Sequence, residues 1–146
     1  MMTDLERAWN RLSEKTELTC VLAQDNVIYQ SERKGIAPMM DLLDAETDLR
    51  GFSVADRIVG RAAAMLFVLA GVAAVHAQVM SRGALAVLEA NGICAEYETL
   101  TEYIVNRQGD GMCPMEHAVQ GIENPKEARE AIRRTQIALA KSKRNK

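Results

Sequence analysis

The feature that most constrains the fold is an alternation of apolar segments between residues 52 and 100. Their spacing predicts strands at residues 52–55, 72–79 and 93–100, separated by helices at residues 57–70 and 82–91. When a helix connects two strands of the same sheet, the strands run parallel and the crossover is right-handed. The segment therefore predicts three neighbouring parallel strands with helical crossovers.

The remaining segments add helices and one hairpin to this unit. Apolar residues at three- and four-residue spacing predict an amphipathic helix at residues 3–15, and Asp25-Asn26 suits a turn between two short strands. The other predicted elements are those two strands, at residues 19–23 and 27–30, and helices at residues 36–45, 114–121 and 126–141. This order predicts an α/β protein: a three-layer α/β/α sandwich around a mixed sheet of about five strands.

Length and charge bound the organisation of the chain. The 146 residues form one predicted domain, residues 1–140, followed by a basic disordered tail, residues 141–146. The net charge of −2 makes nucleic acid an unlikely partner. Residues 126–146 nevertheless carry eight Lys or Arg against two Glu, which favours a solvated last helix. That helix needs a packing surface, which points to a possible partner in a second copy of the chain, a homodimer.

Hydropathy and cysteine usage indicate a cytoplasmic protein without a membrane span. The uncharged run at residues 62–75 has fourteen residues, fewer than a spanning helix requires. No signal peptide is recognisable in the polar start MMTDLERAWN. The three cysteines are an odd number without paired spacing, so free thiols are expected. Cys20, Cys94 and His76 fall in apolar strand patterns and are predicted to be core residues.

Two segments are expected to meet beyond the carboxyl ends of the parallel strands, where ligands bind in open α/β sheets. The first is SVADRIVG, residues 53–60, where a helix N-terminus favours an anion. Arg57 and Arg61 would lie one turn apart and add positive charge. Asp56 is read equally well as the cap of that helix or as a functional carboxylate.

The second segment is NRQGDGMCPMEHAV, residues 106–119. Pro114 at a first helical position places Cys113 at the N-cap, where a thiolate is favoured. Asn106, Arg107 and Glu116 are close in sequence, and Gly111 permits close backbone approach. Cys113 is therefore either a reactive thiol or a small residue that fills space before the helix.

Neither a metal site nor a cofactor motif is recognisable. Zinc sites use three or four Cys or His ligands with local spacing, whereas the chain offers one pair, Cys113 and His117. The phosphate-binding glycine motifs are absent as well. We therefore predict no metal and no cofactor.

The blocks VADRIVGRAAAML, residues 54–66, and YIVNRQGDGMCPMEHAV, residues 103–119, resemble the DUF1893 family. The resemblance covers residues 3–135 and implies a prokaryotic protein of unknown function. It also implies a fold similar to that of cytidine deaminases. The corresponding helix starts of true deaminases carry zinc ligands, H-x-E and P-C-x-x-C, which residues 35–43 and 54–60 lack. The resemblance therefore implies the fold and a pocket without deaminase chemistry.

Three hypotheses follow for the function. In the first, the protein binds an anionic or nucleotide-like small molecule and acts as a thiol-dependent enzyme. Cys113 would be the nucleophile and Asp56 or Glu116 the acid or base, while the ligand contacts Arg57, Asn106, Arg107 and Gly111. In the second, the same pocket belongs to a non-catalytic module that senses a ligand or thiol oxidation. The third is a structural partner that docks through its last helix.

Overall fold

The computed structural model describes residues 1–144 and has eleven elements in the predicted order. They are α1 (Asp4–Glu14), β1 (Cys20–Gln24), β2 (Val27–Ser31), α2 (Ala37–Asp44), β3 (Ser53–Val59), α3 (Arg61–Ala70), β4 (Ala74–Ser81), α4 (Arg82–Ala90), β5 (Cys94–Thr101), α5 (Pro114–Ala118) and α6 (Pro125–Arg144). The side chains of Thr3 and Ser81 cap α1 and α4, because each accepts a hydrogen bond from a backbone N–H group of its helix.

The five strands form one mixed sheet in the order β2-β1-β3-β4-β5. Strands β3, β4 and β5 are parallel neighbours, and β1 pairs antiparallel with both β2 and β3. The two-residue turn between β1 and β2 contains Asp25 at φ 52°, a left-handed conformation that Asp tolerates better than most residues. The predicted class, an α/β protein with a five-stranded mixed sheet, is confirmed.

Helices cover both faces of the sheet. Ala8 and Leu12 of α1 pack with Val21, Ala23 and Ala55 on one face. Because side chains alternate along a strand, Leu22 and Val54 point to the opposite face, where they join the larger cluster that contains α3. Helix α3 also contacts α2, α4 and α6. The arrangement agrees with the predicted three-layer sandwich.

The prediction for residues 56–60 is wrong. Strand β3 continues to Val59, because Asp56, Ile58 and Val59 pair with β4. Helix α3 begins only at Arg61, with Gly60 as its N-cap. Asp56 is therefore a strand residue and does not cap this helix. Residues with β-branched side chains, at positions 58 and 59, favour the strand over an early helix start.

Two smaller predictions are also corrected. Cys20 is buried as expected, but Cys94 is exposed because it begins the edge strand β5. His76 is only partly buried. Helix α6 extends to Arg144, so residues 141–144 are helical, while residues 145–146 of the predicted disordered tail lie outside the described residues.

Within residues 1–144, no helix combines the length and apolarity needed to cross a membrane.

Candidate functional site

The N-terminus of α3 holds an anion that the protein itself supplies. Both oxygens of the buried Glu116 carboxylate accept backbone hydrogen bonds, from Arg61 N at 2.7 Å and from Ala62 N at 2.8 Å. These N–H groups have no partner within the helix, and the helix dipole favours a negative charge there. The helix start at which the sequence predicts an anionic ligand is therefore occupied by the Glu116 carboxylate, which the short helix α5 positions.

Gly60 leaves the space that this carboxylate occupies. A Cβ atom at residue 60 would lie 2.4 Å from Glu116 Oε1 and 2.6 Å from its Cδ. The backbone of Gly60 has φ −100° and ψ −177°, which any residue can adopt. The requirement for glycine is therefore steric. This contact joins the two sequence blocks that carry the family resemblance.

Arg57 is used to hold helix α1. Its guanidinium donates hydrogen bonds to the carbonyl oxygens of Leu12 at 2.7 Å, Leu18 at 3.0 Å and Lys15 at 3.1 Å. A cation suits the end of a helix because the last carbonyl groups are unpaired and carry negative partial charge. The predicted role of Arg57 in ligand binding would compete with these three bonds.

We expect Arg57→Met to lower the free energy of unfolding by about 2 kcal/mol, because it leaves carbonyl groups at the end of α1 without their charged donor. Arg107→Met removes the same group from an exposed loop position and serves as the matched control. Its effect should stay within about 0.5 kcal/mol. Urea denaturation of both variants measures the difference, and equal effects would contradict a structural role for Arg57.

Asp56 pairs with a thiol inside the sheet. It lies directly opposite Cys20 on β1, and both residues are buried. Burial raises the pKa of Asp56 to about 7, although hydrogen bonds from the Ile58 and Arg57 backbone and from Cys20 oppose the rise. Burial also raises the pKa of the Cys20 thiol well above its ordinary value, and Asp56 raises it further. At neutral pH the pair therefore holds at least one proton.

The loop between β5 and α5 closes largely on itself. Asn106 Nδ2 donates to Asp110 Oδ1 at 2.8 Å, and Asn106 N donates to the Gly111 carbonyl at 2.8 Å. Arg107 is exposed near the tip of this loop. Cys113 is the N-cap residue of α5, as predicted, and its backbone N–H donates to the Ile104 carbonyl. The side chain of Asn106 thus stabilises the loop.

The seven predicted site residues are not gathered around one cavity among the described residues. Glu116 contacts the α3 N-terminus, Arg57 contacts the end of α1, and Asp56 contacts Cys20. None of the seven lines either of the two cavities described next. A catalytic role for Cys113 stays a prediction.

The larger cavity is a groove of about 610 Å³ on the α1 side of the sheet, which we call the α1 groove. Its walls come from the first half of α1 and from the starts of β3 and β4, with one residue of β5. The lining residues are Thr3, Asp4, Leu5, Glu6, Trp9, Asn10, Gly51, Ser53, Ala73, Ala74, His76 and Glu96. The smaller cavity, of about 160 Å³, lies between α2 and the β2 edge.

An aromatic pair forms one wall of the α1 groove. The rings of Trp9 and His76 stack with centroids 3.6 Å apart and an interplanar angle of 8°. His76 Nδ1 lies 3.7 Å from Glu96 Oε2. Partial burial lowers the pKa of the His76 imidazole, while the Glu96 and Glu98 carboxylates oppose this shift. An aromatic surface therefore meets hydrogen-bonding groups in one groove.

The sequence does not predict this cluster. Trp9 fits the apolar spacing of the helix at residues 3–15, and the pattern around His76 predicts a core position in its strand. No local motif links the two, because α1 and β4 are separated by about sixty residues and meet only through packing. The only sequence signals for this groove were a tryptophan in the first helix and a histidine in a strand of otherwise small or apolar residues.

The three thiols should differ in reactivity. In the folded protein we expect a maleimide to modify the exposed Cys94 first and the partly exposed Cys113 more slowly. Cys20 should stay unmodified, because it is buried and its pKa is raised. Mass spectrometry of timed digests measures the order, and in urea the three rates should converge. Faster modification of Cys113 than of Cys94 would contradict this order and favour an activated thiol.

Residues 1–144 contain no group of three or more His, Cys, Asp or Glu side chains arranged to hold a metal ion. The Cys113 and His117 pair therefore gains no further ligands from the described part of the chain. Glu116, the nearest carboxylate in sequence, accepts hydrogen bonds from α3.

Comparison with known proteins identifies a family of unknown function. Residues 7–135 match the model of a family described as TM1506, domain of unknown function (DUF1893). The structure is similar to that of a DUF1893 family protein (TM1506) from Thermotoga maritima, with a TM-score of 0.78 and 28% sequence identity over 97% of this chain and 92% of that chain. No curated protein matches this chain. Similarity to the cytidine-deaminase fold stays a prediction.

Proposed function

We propose that this protein, which belongs to the DUF1893 family, binds a small planar molecule of the nucleoside type in the α1 groove. The observation that carries the proposal is the stacked Trp9–His76 wall beside Glu96. It combines a flat apolar surface with polar groups that can fix the orientation of a ligand.

The dimensions of the α1 groove suit such a ligand. Small-molecule sites usually enclose about 300–1,000 Å³ and are lined mainly by apolar and aromatic side chains with a few polar groups. The groove has about 610 Å³ and includes Leu5, Trp9, Ala73 and Ala74 as apolar surface. A nucleoside would therefore fit without a large rearrangement of the sheet.

The charge of the groove selects against phosphate. Asp4, Glu6 and Glu96 line it, and no Lys or Arg is among its lining residues. Asp4 is paired with Arg7, so an anion placed there would be repelled mainly by the Glu6 and Glu96 carboxylates. A neutral or cationic ligand is favoured instead, so the ligand proposed for this groove is an uncharged nucleoside and not the anion predicted at Arg57 and Arg107.

Hydrogen bonding favours a ligand rich in N–H and O–H donors. An ionised carboxylate such as Glu96 only accepts hydrogen bonds, whereas the Ser53 hydroxyl both donates and accepts. Nucleobase amino groups and ribose hydroxyls supply such donors. We expect these groups to face Glu96 and Ser53, at the starts of the strands.

The proposed function is ligand binding without catalysis. Cys113 is not among the residues that line the groove, and the Glu116 carboxylate is bound to α3. The hypothesis of a non-catalytic ligand-sensing module is therefore preferred to thiol catalysis.

The test uses intrinsic fluorescence, because Trp9 is the single tryptophan of the chain. The protein is titrated with adenosine, guanosine, cytidine and uridine, and then with the corresponding 5′-monophosphates, using red-edge excitation to limit absorption by the base. We expect at least one nucleoside to change the emission with saturation, and its monophosphate to bind at least about tenfold more weakly, a difference of about 1.4 kcal/mol.

Variants separate specific from incidental changes. Glu96→Gln should weaken nucleoside binding and reduce the discrimination against the monophosphate. Glu89→Gln, at an exposed position on α4, is the matched control and should bind as the wild-type chain does. No saturable response to any nucleoside, or tighter binding of the monophosphate, would overturn the proposal.

A further inference from the structure

We propose that the projecting end of α6 docks on the acidic β5 edge of a second copy of this chain. The projecting end is residues 137–144, and the acidic β5 edge is Glu96, Tyr97 and Glu98. The inference concerns assembly and does not depend on a ligand in the α1 groove.

Helix α6 is anchored only by its first half. Ala128, Ala131 and Ile132 are buried, whereas every residue from Ile137 to Lys143 is exposed. The eight residues 137–144 span about 12 Å at the usual helical rise. Two turns of helix therefore extend beyond the packed body, although isolated helical turns gain little stability without packing.

The exposed turn is apolar around its whole circumference. Residues 137–140 read Ile-Ala-Leu-Ala, and four consecutive helical positions cover all sides of the axis. Ile137 is 47% exposed and Leu139 is 39% exposed. Helices that are apolar on every side are normally buried, which indicates that another surface covers this turn.

Basic side chains flank this apolar turn. Residues 131–146 carry six Lys or Arg and no acidic residue, whereas residues 1–130 carry twelve basic and twenty acidic residues, a net charge of −8. Arg134, Ile137 and Lys141 share one face of α6, because their spacings are three and four residues. The end of α6 thus presents an apolar centre between two positive charges.

The β5 edge offers the complementary surface. Strand β5 is at the edge of the sheet, so one side of its backbone has no strand partner within the described residues. Glu96, Tyr97 and Glu98 are exposed, and Tyr97 is 40% exposed. Because side chains alternate along a strand, the Glu96 and Glu98 carboxylates lie on the same face of β5 and Tyr97 lies on the other, so the two carboxylates match the basic charges of α6. Such edges are commonly covered to prevent uncontrolled association.

A second copy fits these observations better than nucleic acid or an anionic membrane does. Either alternative would attract the basic helix but repel the remaining chain, whose net charge is −8. An exchange between two copies brings opposite charges together twice and forms a closed dimer.

Sedimentation velocity on the full chain tests the proposal through a charge exchange. The variants Arg134→Glu/Lys141→Glu and Glu96→Lys/Glu98→Lys should each dimerise at least about tenfold more weakly than the wild-type chain, a loss of about 1.4 kcal/mol. Their equimolar mixture should recover the dimer, because both interfaces of the mixed dimer are again complementary. The control Lys15→Glu/Lys34→Glu lowers the net charge as much as Arg134→Glu/Lys141→Glu does, but at exposed positions outside the proposed interface. It should dimerise as the wild-type chain does.

The outcomes are distinct. A wild-type chain that is monomeric at all accessible concentrations would overturn the proposal. So would a dimer whose affinity is unchanged in both charge-reversal variants, or an equimolar mixture of the two variants that does not form the dimer. Binding of the monomeric wild-type chain to RNA or to phosphatidylserine vesicles, lost in Arg134→Glu/Lys141→Glu, would also overturn it and identify the other partner. Circular dichroism confirms that the variants remain folded.

Discussion

Gly60→Ala is expected to lower the free energy of unfolding by about 2–3 kcal/mol, although its backbone conformation accepts alanine. The cause is the collision of the new Cβ with the Glu116 carboxylate, whose Oε1 would lie 2.4 Å away. Gly83→Ala is the matched control. Its Cβ would have its nearest contact at 3.8 Å, in a helix where alanine is favoured, so a gain of up to about 1 kcal/mol is expected.

A double-mutant cycle isolates the contact. Glu116→Ala alone should cost about 3 kcal/mol, because it leaves two buried N–H groups of α3 without an acceptor. In that background Gly60→Ala should cost only about 1 kcal/mol, the usual penalty for alanine at an N-cap, since the obstructing carboxylate is gone. Chemical denaturation of the four chains gives the coupling energy. A coupling near zero would mean that the glycine serves another purpose.

Asp56→Asn is expected to remove most of the pH dependence of stability between pH 4 and pH 7. Burial raises the pKa of Asp56 from 3.8 to about 7, so the folded state retains a proton that the unfolded state releases in this range. The stability that this carboxyl contributes is full below pH 3.8 and is lost as pH rises through 7. Three pH units at about 1.36 kcal/mol each give a loss of up to about 4 kcal/mol.

The amide cannot ionise, so Asp56→Asn should exceed the wild-type stability at pH 8 by at least about 1 kcal/mol and lose that advantage at pH 4.5. Urea denaturation across this range makes the comparison. Asp48→Asn is the control, since a hydrogen bond from Arg50 lowers the pKa of this exposed carboxyl to about 2, below the range tested. Parallel profiles for the wild-type chain and Asp56→Asn would disprove a buried, protonated Asp56.

Much of the architecture was predictable from local patterns. The strand and helix periods between residues 52 and 100 predicted three parallel strands, and the Asp25 turn predicted the hairpin. The start of α3 was misplaced by four residues, because Asp56 and Arg57 are equally acceptable in a strand and in a first helical turn. Pairing with β4 extends the strand to Val59, and this pairing depends on the assembly of the whole sheet.

The candidate site was less predictable than the fold. The sequence pointed to Cys113 and to the arginines at positions 57 and 107, whereas packing formed the groove of Trp9 and His76. A charged residue in a motif has two uses, to bind a ligand or to satisfy the backbone, and its neighbours in space decide between them. Arg57 and Glu116 both make several bonds to backbone groups.

The sequence by itself determined the class of fold, the order of its elements, the N-cap at Cys113 and membership of the DUF1893 family. Each depends on side-chain periodicity, capping chemistry or motifs within a short stretch of chain. Only the tertiary structure decided that Glu116 meets the start of α3, that Asp56 meets Cys20, and that Trp9 meets His76. These pairs join residues far apart in sequence, and burial with the loss of water makes their contacts strong.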